Sequence, residues 1–263
     1  MELRDVRRLT PGIDVNAYRI VGAAPGEHIG LPSSTVTLIV DLDDGLRLSE
    51  PGSPEPRTFR TCLGGMHLDP VTIHHGGTQI GVAAHLGPAA VRALFGMPAG
   101  EFWTTNIELS DAAPGLADRL YESTVEVPHD ARAAVARHVL ADAVASRPPV
   151  RADPDAEQAW RVIQHERGRV TVSNLVAWSC WSARYLTKVF TAEYGIGLKQ
   201  AARLARFDHA RERLESGDPI ATVSAVCGYA DQAHLTREFA AITGHPPAQF
   251  LAVRAAEFSA EPA

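Results

Sequence analysis

Two stretches near the C-terminal end of the chain carry the same pattern of apolar, cationic and glycine residues. Residues 186–195 read Leu-Thr-Lys-Val-Phe-Thr-Ala-Glu-Tyr-Gly, and residues 235–244 read Leu-Thr-Arg-Glu-Phe-Ala-Ala-Ile-Thr-Gly. In each stretch a cation, Lys188 or Arg237, stands between Leu-Thr and Phe. Lysine and arginine donate hydrogen bonds to phosphates and to the edges of bases. Two helices that presented these cations outwards would form two surfaces suited to nucleic acid.

The spacing within each stretch predicts a helix with one buried and one exposed face. Leu and Phe stand four residues apart and share a side, and the cation lies on the opposite side. The closing glycine, Gly195 or Gly244, suits the left-handed residue at a helix C-cap. Because a short apolar helix and a tight turn precede each copy, each is predicted to be a helix-turn-helix unit. Two such units on one chain can reach two segments of a major groove.

Further helices are predicted around both units. Asp153 and Pro154 predict a helix start, with the helix reaching about Glu166. Short polar residues that suit N-caps precede three more predicted helices. These predicted caps are Thr171, Ser182 and Asp231. The remaining predicted helices are a long connector, 199–214, and a short helix, 220–226.

The chain length of 263 residues predicts two domains. A proline-rich stretch, 146–154, predicts the linker, because proline and the residue before it disfavour helix. We therefore expect domains at 1–149 and 150–263. The net charge is −6, yet residues 182–213 hold seven basic residues against three acidic ones. Local potential governs attraction to phosphates, so the acidic total does not exclude nucleic acid as a partner.

The N-terminal half alternates between strand and helix signals. A β-branched run covers residues 35–40, and the runs 71–75 and 78–82 predict a hairpin closed by Gly76-Gly77. Three predicted helices follow, at 88–95, 116–121 and 130–145. The pattern is typical of an α+β domain, a small β-barrel or sandwich with helices.

The segment from about Pro154 to Arg254 resembles the DNA-binding domain of the AraC/XylS transcriptional regulators. The strongest match reads Ala-Val-Cys-Gly-Tyr-Ala-Asp-Gln-Ala-His-Leu-Thr-Arg-Glu-Phe, followed by Gly-His-Pro-Pro-Ala-Gln-Phe. The resemblance implies an all-α domain of seven helices, in which a long helix joins two helix-turn-helix units on the major groove of double-stranded DNA. At matching positions it implies DNA contacts by Ser182, Ala183, Arg184, Thr187, Lys188, Asp231, Gln232, His234, Thr236 and Arg237.

The N-terminal half resembles, more loosely, the cupin-like regulatory domains of the same family. This match rests on Leu31-Pro32-Ser33-Ser34, on the β runs and on residues 87–96. The resemblance implies a cytoplasmic transcription regulator, with no enzymatic activity and no cofactor, and leaves activation and repression open. Its candidate partners are DNA, a small-molecule effector, a second copy of the chain and RNA polymerase.

The alternative is a cupin-like small-molecule-binding protein or metalloenzyme with a helical interaction tail. Its motivation is a group of histidines in the N-terminal half, and metals are often held by imidazoles from separate strands. However, His74 and His75 are adjacent and would point to opposite faces of a strand. We therefore expect no metal site there. The histidines in question are His67, His74, His75 and His85.

The cysteines and tryptophans are expected to be structural. Cys62, Cys180 and Cys227 are too far apart for a zinc cluster and are typical of reduced thiols. A zinc-activated methyl acceptor of DNA repair would need thiolate partners that Cys62 lacks. Trp178 and Trp181 are expected to pack between helices rather than to stack on bases. The first ten residues are charged and no apolar run is long, so neither a secretory signal nor a membrane span is expected.

Overall fold

A computed structural model of the chain describes residues 12–53, 55–179 and 181–258. Within these residues, nine strands form two antiparallel sheets. The five-stranded sheet contains β1 (Ile13–Ile20), β3 (Val36–Asp41), β6 (Thr61–Gly64), β8 (Gln79–Leu86) and β9 (Asn106–Glu108), in the order β1-β8-β3-β6-β9. The four-stranded sheet contains β2 (Gly26–Gly30), β4 (Leu46–Ser49), β5 (Arg57–Phe59) and β7 (Val71–His75), in the order β2-β7-β4-β5.

The five-stranded sheet is covered on both faces, by helices on one side and by the four-stranded sheet on the other. Val36 and Leu38 are buried together with residues of the helices that follow the sheets. Ile39 points the other way, since successive side chains of a strand alternate, and packs with Cys62 and Phe59 between the sheets. The covering helices are α1 (Pro88–Phe95), α2 (Leu109–Ala112), α3 (Pro114–Val125) and α4 (His129–Ala145), with a 3₁₀ turn at Ala99–Phe102.

The predicted hairpin around Gly76-Gly77 is wrong. β7 pairs with β2 and β4, whereas β8 pairs with β1 and β3, so the chain crosses here from one sheet to the other. Gly77 has φ 103° and its carbonyl accepts a hydrogen bond from the Ala23 amide at 3.1 Å. A Cβ on Gly77 would lie 2.3 Å from the Ala23 carbonyl oxygen. The glycine is required for a close crossing of two backbones, which a local turn pattern does not distinguish from a hairpin.

The C-terminal part, from residue 150 on, is helical in the described chain. Asp153 accepts hydrogen bonds from the amides of Asp155 and Ala156 at 3.0 and 3.1 Å, as its predicted role at a helix start requires. The seven helices are α5 (Pro154–His165), α6 (Val172–Trp178), α7 (Ala183–Tyr194), α8 (Leu198–Glu215), α9 (Ile220–Val226), α10 (Gln232–Thr243) and α11 (Pro247–Phe258). This confirms the predicted fold class, an α+β part followed by an all-α part.

The two parts of the chain share buried surface. One apolar core contains Leu94 and Phe102 from the N-terminal part and also Leu186 and Phe190 from α7. A separate polar contact joins the β2–β3 loop to α8, where the Ser34 hydroxyl donates to the Asp208 carboxylate at 2.9 Å. The geometry of α7 and α8 is therefore tied to the N-terminal part. No helix in the described part of the chain combines the length and apolarity that a membrane span requires.

Candidate nucleic-acid interface

The first helix-turn-helix unit consists of α6 and α7. Thr171 and Ser182 are the N-caps of these helices, and the Ser182 hydroxyl accepts from the Tyr185 amide at 3.3 Å. Gly195 ends α7 with φ 74°. Leu186 and Phe190 are buried, as their four-residue spacing predicts. The side of α7 that faces the core is therefore fixed by the residues that the repeat pattern identified.

The opposite face of α7 is exposed to solvent. It presents Ala183, Arg184, Thr187 and Lys188, all of which are exposed. Neither Arg184 nor Lys188 has an ion-pair partner among the described residues. Two cations with a hydroxyl between them on one open helix face can donate to phosphates and base edges without first breaking an internal contact. We call α7 the first reading helix.

The second unit consists of α9 and α10. The Asp231 carboxylate accepts from the His234 amide at 2.6 Å and caps α10, and Gly244 ends it with φ 76°. Leu235 and Phe239 are fully buried, and the Phe239 ring lies 5.2 Å from the ring of Phe250. We call α10 the second reading helix. Its buried face carries Leu and Phe at the same spacing as the buried face of α7.

The exposed face of α10 has a different chemistry from that of α7. Gln232 and Arg237 are exposed, and Thr236 is half-buried beside them. His234 is also half-buried, and its Nδ1 accepts from the Ala230 amide at 3.2 Å. The second reading helix thus offers an amide and one guanidinium, whereas the first offers two cations. Asp231 is exposed but its carboxylate is engaged as a cap.

The basic stretch between the units is largely neutralised inside the C-terminal part. Arg203 and Arg206 both pair with Glu238 of α10, at 3.2 and 3.0 Å. Arg211 and Arg213, further along α8, pair with Glu215 and Asp218 at 2.8 and 2.5 Å. Ion-paired arginines contribute little free positive potential. Among the described residues from 182 to 237, the cations without an ion pair are Arg184, Lys188, Lys199 and Arg237.

The aromatic residues in the two turns lie in different environments. Tyr229 is 6% exposed, beneath the Arg206 guanidinium at 5.2 Å, and burial raises the pKa of its hydroxyl. Trp181 is 47% exposed and lies against the Tyr185 ring at 4.5 Å. The expectation that Trp181 packs between helices is therefore wrong, because its ring lies over a neighbour on the surface. Cys180 and the side chain of Trp178 are outside the described residues.

A buried polar cluster beneath the second turn was not predicted from the sequence. His209 of α8 lies 3.5 Å from the Cys227 sulfur through Nδ1, and its Nε2 contacts the Arg167 guanidinium. Burial lowers the pKa of His209, with Arg167 and Arg213 acting in the same direction. The cluster joins the α5–α6 turn, α8 and the second unit. Partners 18 and 42 residues apart leave no local signal in the sequence.

The N-terminal histidines and Cys62 have structural surroundings. His74 contacts Glu27 at 3.0 Å and Ser49 at 2.7 Å. His75 lies on the other face of β7, where its ring is 5.6 Å from that of His28. Among the described residues, no group of three or more His, Cys, Asp or Glu side chains is placed to hold a metal ion. Burial raises the pKa of the Cys62 thiol to about 12, so the nucleophilic thiolate is strongly disfavoured.

Comparison with known proteins agrees with this architecture. Residues 176–252, which contain both reading helices, match a family model described as a helix-turn-helix domain. The crystal structure of ToxT from Vibrio cholerae O395 is 12% identical, with a TM-score of 0.54 over 91% of this chain and 97% of that one. ToxT from Vibrio cholerae strain SCE256, bound to an unsaturated fatty acid, is 11% identical, with a TM-score of 0.56 over 92% of this chain and 95% of that one. No curated protein sequence matches the chain.

At these identities the likeness to ToxT is one of fold, and it extends over both parts of the chain. The family match is independent of it and covers the segment in which the sequence repeats itself. Together they confirm the resemblance inferred from the sequence. The chain carries a helix-turn-helix domain of the AraC/XylS type at residues 176–252, within a fold that it shares with ToxT.

Proposed function

We propose that this protein is a transcription regulator that binds specific sequences of double-stranded DNA. One observation carries the proposal: two helices with the same buried Leu and Phe expose polar and cationic faces and end at matched left-handed glycines. Such helices place side chains on the base edges of a major groove. The family match over 176–252 supports this function over that of an enzyme with a helical tail.

The side chains on the two reading helices divide into base-reading and positioning groups. Arg184 and Arg237 are the candidates for bidentate contact with guanine, and Gln232 for contact with adenine. Lys188 and Thr187 are suited to phosphate, which fixes the position of the helix but reads no sequence. The remaining proposed contacts lie around the same helix starts and faces: Ser182, Ala183, Asp231, His234 and Thr236.

The small number of unpaired cations predicts a modest salt dependence. Each phosphate contact contributes a slope of about −0.9 to the logarithm of affinity against the logarithm of salt concentration. Among the described residues from 182 to 237, four cations have no internal ion pair, whereas four others are held by carboxylates. We therefore propose that base contacts and shape, more than general attraction, supply the affinity.

We further propose that residues 1–149 regulate DNA binding by residues 150–263, through a small-molecule effector or a second copy of the chain. His28 lies opposite Ile73 in the sheet, and His75 shares that face. Burial, with His75 and Arg254 nearby, lowers the pKa of His28 to about 4, so this imidazole is neutral at pH 7. The neutral His28 ring, which shares a face of the sheet with Ile73, suits a small organic molecule. ToxT, with a fold like this one, has been crystallised with an unsaturated fatty acid.

The proposal is tested by selecting duplexes from a random pool with the full-length protein. We expect enrichment of one sequence with two conserved blocks about one helical turn apart, since the two reading helices lie on one chain. Anisotropy titrations of the enriched and an unrelated duplex then measure specificity at fixed salt. A folded protein that enriches no duplex would refute the function. An effector would raise the melting temperature with the logarithm of its concentration and change DNA affinity roughly 5- to 150-fold.

A further inference from the structure

The doubled motif contains one position where the two copies differ in a way that core packing does not explain. Aligning Leu186 with Leu235 places Glu193 at the position of Ile242. Ile242 is 1% exposed and belongs to the apolar core of its unit. The Glu193 side chain is equally enclosed, at 6% exposed. A carboxylate buried in place of an aliphatic side chain requires a charged partner.

That partner comes from the N-terminal part. Arg92, in the last turn of α1, donates through Nε to Glu193 Oε1 at 2.9 Å and through Nη2 to Oε2. Its side chain is only 11% exposed. A bidentate, enclosed pair of this kind is satisfied in one relative placement of the two groups. It therefore specifies how α7 sits on α1.

The backbone approaches closely at the same place. A Cβ on Gly100 would lie 2.6 Å from the Gly195 amide nitrogen, and a Cβ on Gly195 would lie 2.6 Å from the Trp103 Cβ. The end of the first reading helix therefore docks directly on the 3₁₀ turn Ala99–Phe102. Gly244, at the matched end of the second reading helix, has a single neighbour within 4 Å of such a Cβ, Ile29 Cδ1 at 3.9 Å.

The second reading helix is held in a different way. Glu238 of α10 pairs with two arginines of α8, Arg203 and Arg206, inside the C-terminal part. The aligned position in α7 is Val189, which can form no such pair. The ion pairs of the second reading helix thus lie within the C-terminal part, whereas the buried ion pair of the first reaches into the N-terminal part.

We infer that Arg92 and Glu193 are positioning residues for DNA recognition: through them α1 and the 3₁₀ turn set the first reading helix, and they make no ion pair with the second. This inference rests on the proposed function. It assigns regulation to the part of the DNA interface that α7 forms. A change in the N-terminal part that moves α1 or the 3₁₀ turn alters contacts in the block read by α7. The block read by α10 keeps its contacts.

The test compares two full-length variants on two duplexes. Glu193→Gln removes one charge of the α1–α7 pair at nearly constant shape, and Glu238→Gln does the same for the brace of α10. The first duplex is the selected operator. In the second duplex, the block of bases whose discrimination is lost in Arg184→Ala, and which is therefore read by α7, is scrambled. We expect Glu193→Gln to weaken operator binding about tenfold and to leave binding to the scrambled duplex unchanged. Glu238→Gln should weaken binding to both. Arg92→Lys, which keeps the charge but not the two-point contact, should bind the operator better than Arg92→Met and less well than the wild-type protein.

Equal losses for Glu193→Gln on both duplexes, or no loss on either, would overturn the inference. Hydrogen exchange provides an arm that needs no DNA. Glu193→Gln should speed exchange in residues 183–194 and 99–103 and leave residues 232–243 unchanged, and a uniform change would count against a positioning role. Failure of the wild-type protein to select any duplex would refute the proposed function. The exchange result would still decide whether the pair holds the first reading helix.

Discussion

Replacing Gly195 with alanine separates the backbone requirement of a helix end from the contact made by the N-terminal part. Gly195 and Gly244 end the two reading helices with nearly the same backbone, φ 74° and ψ −13° against φ 76° and ψ −10°. An alanine in this left-handed region costs roughly 1–2 kcal/mol at either position. This common cost makes Gly244→Ala a matched control.

The surroundings of the two glycines predict the difference. The new methyl group at 195 would meet Trp103 Cβ at 2.6 Å, Trp103 Cγ at 2.9 Å and Gly100 Cα at 3.1 Å. Backbone and ring have to shift, and such overpacking costs typically about 1–3 kcal/mol. At 244 the methyl group has room. We therefore expect Gly195→Ala to be more destabilising than Gly244→Ala by about 1–3 kcal/mol.

The assay is denaturant unfolding of both full-length variants beside the wild-type protein, followed by thermal melts. A free-energy difference of this size corresponds to roughly 2–12 °C in melting temperature for a protein of this length. Equal destabilisation by the two substitutions would refute the reasoning. It would mean that in solution the first reading helix ends free of the 3₁₀ turn, and the Arg92–Glu193 contact would lose its support.

The remaining predictions concern the helix core, a cap and one interface carboxylate. Leu235→Ala should destabilise the protein by about 2–5 kcal/mol, because a fully buried side chain is truncated; an unchanged melt would contradict the assigned core face. Asp231→Ala should cost about 0.5–2 kcal/mol through loss of the cap on α10, and Asp231→Ser should recover most of it. Burial raises the pKa of Asp208 from 3.8 to about 6, because the folded protein favours the protonated carboxyl group. The stabilisation from this protonated group is present below pH 4 and is lost as pH rises through 6. Relative to Asp208→Asn, the wild-type unfolding free energy should therefore fall by on the order of 3 kcal/mol between pH 4 and pH 7; a constant difference would exclude this titration.

The helical C-terminal part could be predicted closely because its signals are local. The predicted caps Thr171, Ser182 and Asp231 all accept backbone amides in the structure, and α9 has the predicted bounds. Four-residue spacing identified the buried face of each reading helix, and the closing glycine identified its end. Each of these features depends on residues within one or two helical turns, which a sequence displays directly.

The remaining features depend on partners that are distant in sequence. Gly76 and Gly77 carry the composition of a hairpin turn, but the pairing of β7 and β8 with other strands makes them a crossing between sheets. Trp181 is apolar, yet its turn leaves it on the surface. Glu193 looks like one more exposed charge until Arg92, 101 residues earlier, is placed beside it. The asymmetric bracing of the two reading helices was therefore not predictable from the repeat.

The most direct test of the account is to map which bases lose discrimination when each reading helix loses its arginine. Full-length Arg184→Ala and Arg237→Ala are titrated against the selected duplex and against every single base-pair substitution within it. We predict that each variant loses about 1–3 kcal/mol of discrimination in one block only, and that the two blocks are different and about one helical turn apart. Uniform loss across all duplexes, or normal discrimination by both folded variants, would contradict the claim that these two helices read DNA.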